Sequence, residues 1–551
     1  MIASSSLIKN NNLDFDSLLM IFKQCISNIE DKRASNTSYS LLDICLSTFA
    51  MFYSQDASFL AFQKRMENKY QNSNARTIFG IKNIPTDNQI RNVLDTINPN
   101  QLDSVFDTIF DCLYNSGQLN EFRFLNNQFL IAIDGTGYYH STAVKCDNCL
   151  KKIHKKGHIR LISNEDSNFK AAIKKGKEIA IIKNADNQLK IMFLIKKSKI
   201  IDTLTIESEI FSSLIFNGEL LERTEITENI YNVIYNEVKA KKGKIPYKRK
   251  KQLSVVADEY YHSMLTPIIV SPNQSQIISL PPEYITNLDG GDKQDCERNS
   301  AKRWLNKHGD KYGDLNTTIL GDDLYCCEPI CTAVLKKKLN FIFGCKENSH
   351  KSLYEFISSP AMAPFFGKTE ETITIKKEKI INTYRYFNNV PIKTGKESLR
   401  VNWFEIISTN SNGERLFYGT FVTNHKITND NVAELAMAAR ARWKVENENN
   451  NALKTKGYNL DHSFGHGSQY LSMFLASLNV IAFLFHSILE LFDVAYQAMR
   501  KKLGARVGLF YYIKNTFMHF IFKGWKDFIR YALRNLGIDN YEGDMLVYNS
   551  A

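Results

Sequence analysis

The sequence predicts an α/β protein whose mixed sheet is interrupted by a β-rich segment and flanked by helical regions at both ends. Three observations predict it. Short apolar runs bounded by polar residues, Phe129–Ile133 within Phe124–Asp134, Thr317–Asp322 and Leu339–Cys345, have the length and composition of buried strands, and the first two end in carboxylates. Charged helical segments lie between such runs, and strand, helix, strand, strand implies an α/β sheet. From about 370 to 425 the pattern changes to alternating segments with turn signals, which reads as three or four antiparallel strands.

Length and composition bound the rest. The chain has 551 residues, enough for two to four domains, and 44% hydrophobic content makes it globular. Lys plus Arg number 70 against 58 Asp plus Glu, a net charge of +12 that suits a polyanion partner. The start has no basic region followed by an apolar run, so no signal peptide is expected. The most apolar stretch, Tyr470–Phe492, is broken by Ser472, Ser477, Asn479, His486 and Glu490, and reads as a buried core helix rather than a membrane span. Ten scattered cysteines suggest a reducing compartment without structural disulfides.

In chain order, residues 1–120 read as a helical region. A helix follows Ser40, and Thr86 with Gln89 fits an N-cap before the next. Lys64, Lys69, Arg76 and Arg91 suit a DNA-holding domain, with a helical scaffold the equal alternative. Residues 121–160 bring the first buried strand and place Asp134 at its end, before Gly135. Cys146, Cys149, His154 and His158 follow at a spacing that can hold zinc; the alternative is a basic loop with two free thiols. Residues 161–252 read as an inserted basic α/β block. It has a hairpin of Ile179–Ile182 with Ile191–Ile195, a helix over Thr227–Val238, and a basic run, Lys239–Lys251, that is a solvated linker or a phosphate-binding segment. Residues 253–368 resume the sheet. They hold two strands around a Pro-Asn turn in Leu265–Leu280, a charged helix over Asp292–Leu305, and the strands before Asp322 and Lys346. Residues 369–425 are the β-rich insertion, with turns at Asn388–Asn389 and Ser411–Gly413. Residues 468–551 form a helical tail for packing or a subunit interface.

Residues 426–467 carry the most unusual helix. Arg442 and Glu446 are four apart on one face, Lys454 and Lys456 stand in the last turn, and Gly457 supplies a left-handed stop. Polar side chains outnumber apolar ones, as on a solvated surface helix. The sharper reading makes Glu446 one carboxylate of a metal site, joined by Asp134 and Asp322. Three converging carboxylates can hold two Mg²⁺ ions for in-line phosphoryl transfer.

The segments DGTGYYHS at Asp134, ILGDDLY at Asp322 and RARWKVENENNNALKTKGYNLDHSFGHG around Glu446 resemble the three catalytic blocks of DDE insertion-sequence transposases. The resemblance is to the branch with a β-rich insertion before the glutamate and a Tyr-Arg-Glu-Lys signature. QDCERNSAKRWL and FIFGCKENSH are also similar to family segments, so the likeness spans roughly 40–160 and 255–490. It implies an RNase H-like catalytic core and two Mg²⁺ or Mn²⁺ ions held by Asp134, Asp322 and Glu446. The implied reaction is cleavage of transposon ends followed by joining of the 3′-hydroxyl to target DNA. It further implies double-stranded DNA as partner, a homodimer in the DNA complex, no membrane, and a bacterial cytoplasmic, DNA-associated location. Arg442 and Lys454 would be the signature's basic partners. The signature's Tyr falls at Ala439, and its Lys, expected seven after the Glu, stands at eight. Asp322 and Asp323 both fit the second carboxylate, with the GDxLY pattern favouring Asp322. Lys456, and Trp403 by base stacking, are further DNA-contact candidates, with sheet packing the alternative for Trp403. His462 and His466 would touch DNA or stabilise the turn. A catalytically inactive or domesticated DNA-binding protein on the same fold, or a Mg²⁺-dependent nuclease, are the competing functions.

Overall fold

The computed structural model describes residues 13–34, 36–152, 159–163, 179–183, 189–195, 199–205, 215–216, 219–220, 259–287, 289, 293–375, 378–395 and 397–538. The chain divides into two units: residues 1–140, 144–150 and 261–551 form one, and 141–143 with 151–260 the other.

The first unit opens with helices α1 (Phe15–Ser27), α2 (Leu41–Tyr53), α3 (Phe59–Met66), α4 (Lys69–Thr77), α5 (Asp87–Leu94) and α6 (Asp103–Asn115). Side-chain caps set their starts. Asp14, Ser40 and Thr86 accept from the amides of Ser17, Asp43 and Gln89, which the helix ladder leaves unpaired. The helix start expected at Thr86 is therefore present.

Strands β1 (Phe129–Ala132), β2 (Gly135–Ser141) and β3 (Leu150–Lys152) follow. The second unit contains β4 (Ile159–Ser163), β5 (Ile179–Lys183), β6 (Leu189–Ile195) and β7 (Lys199–Thr205) in one sheet of that order, and a pair β8 (Ile215–Phe216) with β9 (Glu219–Leu220). β5 and β6 pair antiparallel with Ile181 opposite Ile191, matching the expected hairpin. Thr227–Val238 and Lys239–Lys251 lie outside the described residues.

The chain continues through β10 (Glu259–Leu265), β11 (Ile268–Val270), β12 (Ile278–Ser279), β13 (Glu283–Ile285), α7 (Lys293–Gly313), β14 (Thr317–Gly321), α8 (Glu328–Lys336), β15 (Asn340–Gly344) and α9 (Lys351–Ser358). Then come β16 (Gly367–Ile375), β17 (Glu378–Pro391), β18 (Arg400–Asn410) and β19 (Arg415–Thr423).

Nine strands make one mixed sheet in the order β12-β11-β1-β14-β15-β19-β18-β17-β16. β1, β14 and β15 are parallel neighbours, with Leu130 opposite Thr318 and Ile319 opposite Phe341. The outer pairings are antiparallel. β1 and β14 are buried throughout, and β15 is buried at its centre, so each reads in sequence as an unbroken apolar run. The β-rich segment is no separate body. β19 pairs with β15, so its four strands extend the core sheet. The turn expected at Asn388–Asn389 is instead a bulge inside β17, where the register shifts between Phe387 and Val390 and Asn389 takes φ +65°. Asparagine tolerates left-handed backbone, so one signal serves a turn or a bulge. A smaller sheet in the order β13-β10-β2 also pairs β3 with β10.

The C-terminal part runs through α10 (Val432–Ala441), a π-helical turn (Val445–Asn450), α11 (Asn451–Thr455), α12 (Leu471–Phe492), α13 (Val494–Leu503), α14 (Arg506–His519) and α15 (Trp525–Asn535). Among the described residues, α12 alone is long and apolar enough to cross a membrane, and its apolar window is wholly buried inside the protein. It packs on α2, Phe485 lying 4.7 Å from Phe49 between ring centroids. Two of the polar residues that interrupt it have partners: Ser477 with the Tyr284 hydroxyl at 2.5 Å, and Asn479 donating to the Tyr458 carbonyl at 2.9 Å. All ten cysteines are free thiols.

Candidate functional site

Two parallel strands bring Asp134 and Asp322 together. Each aspartate ends a buried strand, β1 or β14, and the Ile133 amide donates to the Leu320 carbonyl at 2.9 Å. The chain leaves β1 for the smaller sheet at this point, and the Asp134 carbonyl is taken by the Thr266 amide at 2.9 Å. The Asp134 carboxyl is pushed up to about 7 by burial, then by the negative charges of Glu297 and Asp322, with Glu446 adding to them and Arg442 opposing. Residues far apart in sequence thus share one electrostatic environment.

The choice between Asp322 and Asp323 is visible in their partners. Asp322 caps the turn after β14, accepting from the Leu324 amide at 2.9 Å, and its charge reaches Asp134. Asp323 accepts from the Lys346 amide at 2.6 Å and lies 3.3 Å from His350 Nε2. Burial raises its carboxyl, but His350, Ser349 and the Lys346 amide outweigh that and hold it below the ordinary range. Beside the pair is a cleft of about 860 Å³ lined by Arg298, Lys346, Lys351 and Lys393 as well as both aspartates.

The third carboxylate stands on an irregular helix. Where one continuous α-helix is expected from Arg442 to Gly457, the ladder is π-helical over Val445–Asn450 and resumes as α11. A π turn holds one more residue than an α turn. The angular spacing from Glu446 to Lys454 therefore differs from that of an unbroken α-helix. Gly457, at φ +99°, ends the element as expected. Lys444 anchors the segment by donating to the carbonyls of Ser271, at 2.7 Å, and Gln274. Glu446 is 52% exposed and accepts from Arg442 Nη1 at 2.7 Å, so Arg442, expected to face DNA phosphates, is paired here with a carboxylate. Lys454 is half-buried and Lys456 exposed.

Two residues at this site were not among the expected ones. Asn450 donates from Nδ2 to Asp134 at 3.2 Å while its Oδ1 accepts from the Thr266 hydroxyl at 2.8 Å, which orients the Asp134 side chain. Its only sequence signal is an unusual Asn run in a helix. Glu297, on α7, accepts from the Tyr325 hydroxyl at 2.8 Å, and a Cβ at Gly135 would stand 2.6 Å from its carboxylate. Its segment carried the resemblance but not its role. Trp403 is corrected: it is 1% exposed, its indole donates to the Tyr354 hydroxyl at 3.3 Å, and no face is open to a base. Its position on β18 turns it against α9. The exposed tryptophan is Trp443, three residues before Glu446 and 45% exposed.

The expected cysteine–histidine group is also redrawn. His154 and His158 lie outside the described residues. The sulfurs of Cys146 and Cys149 meet His262, on β10, and His466, in the turn after α11. His462, the other histidine of that turn, is exposed and packs edge-on against Phe464. A second group is Cys326, Cys345 and His350. In each group the ligand atoms lie within 4.8 Å of one another; Asp134, Asp322 and Glu446 do not draw in that closely, Glu446 being turned to Arg442.

No family model matches the chain, and no curated protein sequence is similar to it.

Proposed function

We propose that this protein is a DNA transposase of an insertion sequence that cleaves transposon ends and joins the 3′-hydroxyl to target DNA. One observation carries the reading: Asp134 and Asp322 end adjacent parallel strands, and the charge of Glu446, from a distant helix, reaches the same buried carboxyl. The resemblance of the three segments to DDE blocks points the same way.

The fold is consistent with an RNase H-like core. Numbering only β1, β11, β12, β14 and β15 in chain order, they lie side by side as 3-2-1-4-5, with 1, 4 and 5 parallel and α7 crossing before the fourth. The aspartates stand at the carboxyl ends of strands 1 and 4, where ligand sites of such sheets are found.

Mg²⁺ or Mn²⁺ suits oxygen donors, and at Asp134 burial and the neighbouring negative charges already favour a bound cation or proton. Asp134 and Asp322, with Glu446, would hold the metal, which supplies Lewis acidity for activating water or a 3′-hydroxyl and for stabilising the leaving oxygen. The chain's own residues do the positioning. Asn450 orients Asp134, Lys444 fixes the π turn that presents Glu446, and Arg442 holds Glu446 until a cation takes the carboxylate or a DNA phosphate takes the guanidinium. Arg298, Lys346 and Lys351 bring positive charge to the adjoining cleft for phosphates, while Lys393 there is paired with Glu328. A homodimer on DNA and a location with DNA in a bacterial cytoplasm follow from this reading.

The test is cleavage of DNA carrying the sequences that flank the gene. Asp134→Asn, Asp322→Asn and Glu446→Gln are each expected to abolish Mg²⁺-dependent strand cleavage while DNA binding persists. Full cleavage by any one variant would remove that residue from the site. Cleavage by the unaltered protein without joined products would favour a nuclease.

A further inference from the structure

We propose that Cys146, Cys149, His262 and His466 form a structural Zn²⁺ site, separate from the carboxylates. A tetrahedral Zn²⁺ with bonds of about 2.3 Å to sulfur and about 2.0 Å to nitrogen holds its sulfurs about 3.8 Å apart, sulfur and nitrogen about 3.5 Å apart, and its nitrogens about 3.3 Å apart. Five of the six distances among the four ligand atoms have this spacing. The sulfurs are 3.8 Å apart, His262 Nε2 is 3.5 Å from Cys146 and 3.4 Å from Cys149, His466 Nε2 is 3.3 Å from Cys149, and the two Nε2 atoms are 3.2 Å apart. Two imidazole nitrogens and two sulfurs do not converge this closely for packing alone.

The surroundings suit a closed site. His466 donates from Nδ1 to the Gly467 carbonyl at 2.8 Å, which leaves Nε2 as the bare, ligating nitrogen. His262 is fully buried and lies over Tyr138 with 5.7 Å between ring centroids, its Nδ1 having no hydrogen-bond partner. Cys146 and Cys149 form a tight turn, with the Cys149 amide bonded to the Cys146 carbonyl at 3.2 Å and the Cys146 amide directed at the Cys149 sulfur at 3.4 Å. A sulfur separation of 3.8 Å is far from the roughly 2.05 Å of a disulfide. Four protein ligands leave no open position, so the ion would be structural rather than catalytic.

The site joins three segments: the loop before β3, strand β10, and the turn that follows the Glu446 helix. Asn148 reinforces the join by donating to the Gln469 carbonyl at 3.0 Å. Zn²⁺ would thus fasten the end of the Glu446 segment to the small sheet that continues from Asp134.

The experiment is elemental analysis and zinc-edge X-ray absorption on the full chain, purified without chelator. One zinc per chain with two sulfur and two nitrogen neighbours is expected, retained in Asp134→Asn and lost or reduced at least tenfold in His466→Ala. Substitution by Co²⁺ is expected to give the intense visible absorption of a tetrahedral sulfur-ligated ion. A protein without zinc that gives no such Co²⁺ spectrum, or a zinc with only oxygen and nitrogen neighbours, would overturn the site. Because the wild-type spectra decide, misfolding of a variant leaves the test intact. Loss of zinc in Asp134→Asn would assign the ion to the carboxylates instead.

Discussion

Asp322 and Asp323 are neighbours in sequence with opposite commitments. Asp323 is held by the Lys346 amide and His350, so its carboxylate serves the loop after β15. Asp322 has one backbone partner and acts on Asp134. Asp322→Asn is therefore expected to weaken Mn²⁺ binding by roughly tenfold or more, about 1.4 kcal/mol per tenfold, whereas Asp323→Asn should leave the affinity within about twofold on that same scale. Titration followed by the paramagnetic resonance of free Mn²⁺ reads both; equal losses would show that the loop and the site cannot be separated. The doublet could not be resolved from sequence, because alternation along a chain says which way neighbours diverge only once the turn after β14 is known.

Among the elements, α12 ties helical and sheet regions into one core, and His486 is its most sensitive point. Its Nε2 donates to the Tyr53 carbonyl at 3.1 Å and its Nδ1 accepts from the Tyr496 hydroxyl at 2.6 Å, so the neutral ring is the form that fits. Burial pushes its pKa down to about 3 from 6.5. The unfolded chain takes up a proton below 6.5 that the folded chain refuses until about 3. Stability is thus complete above 6.5 and falls as pH drops through that window, by up to about 5 kcal/mol. Denaturant unfolding across pH 7 to 3 should show the loss, and His486→Gln should flatten it. An unchanged slope would place the acid sensitivity elsewhere. The helix itself was legible, since a long apolar run interrupted by Ser, Asn and His suits a core that provides partners. The π turn was not legible, because Lys444 at its start is held from outside the helix by the carbonyls of Ser271 and Gln274.

For the molecule as a whole, the long insertion has a simple connection. β3 leads into the second unit, β10 leads out of it, and these two strands pair. Entry and exit are adjacent, so the insertion imposes little loop-closure cost on the first unit. Replacing residues 153–258 by a short turn is expected to leave a folded first unit with a cooperative thermal transition within a few degrees of the parent's, a shift of about 1 kcal/mol or less. Calorimetry checks this; loss of cooperativity would make the insertion part of the folding unit. The hairpin expected within the insertion is present. The β-rich segment was also recognised, but its fusion to the core sheet through β19 and β15 is a long-range pairing that local alternation cannot encode.

The amino-acid sequence by itself determined the elements whose cause is local: buried strands written as apolar runs, helix starts at Ser40 and Thr86, the stop at Gly457, and carboxylates at the ends of β1 and β14. Tertiary structure decided everything that depends on which distant residues meet. It set His262 and His466 beside Cys146 and Cys149, Asn450 and Glu297 beside Asp134, Trp403 inside the protein, and the strand order that brings Asp134 next to Asp322. The physical reason is that hydrogen bonding and hydrophobic periodicity act over a few residues and leave a pattern in the chain. Ligand geometry and charge repulsion act through space between segments hundreds of residues apart.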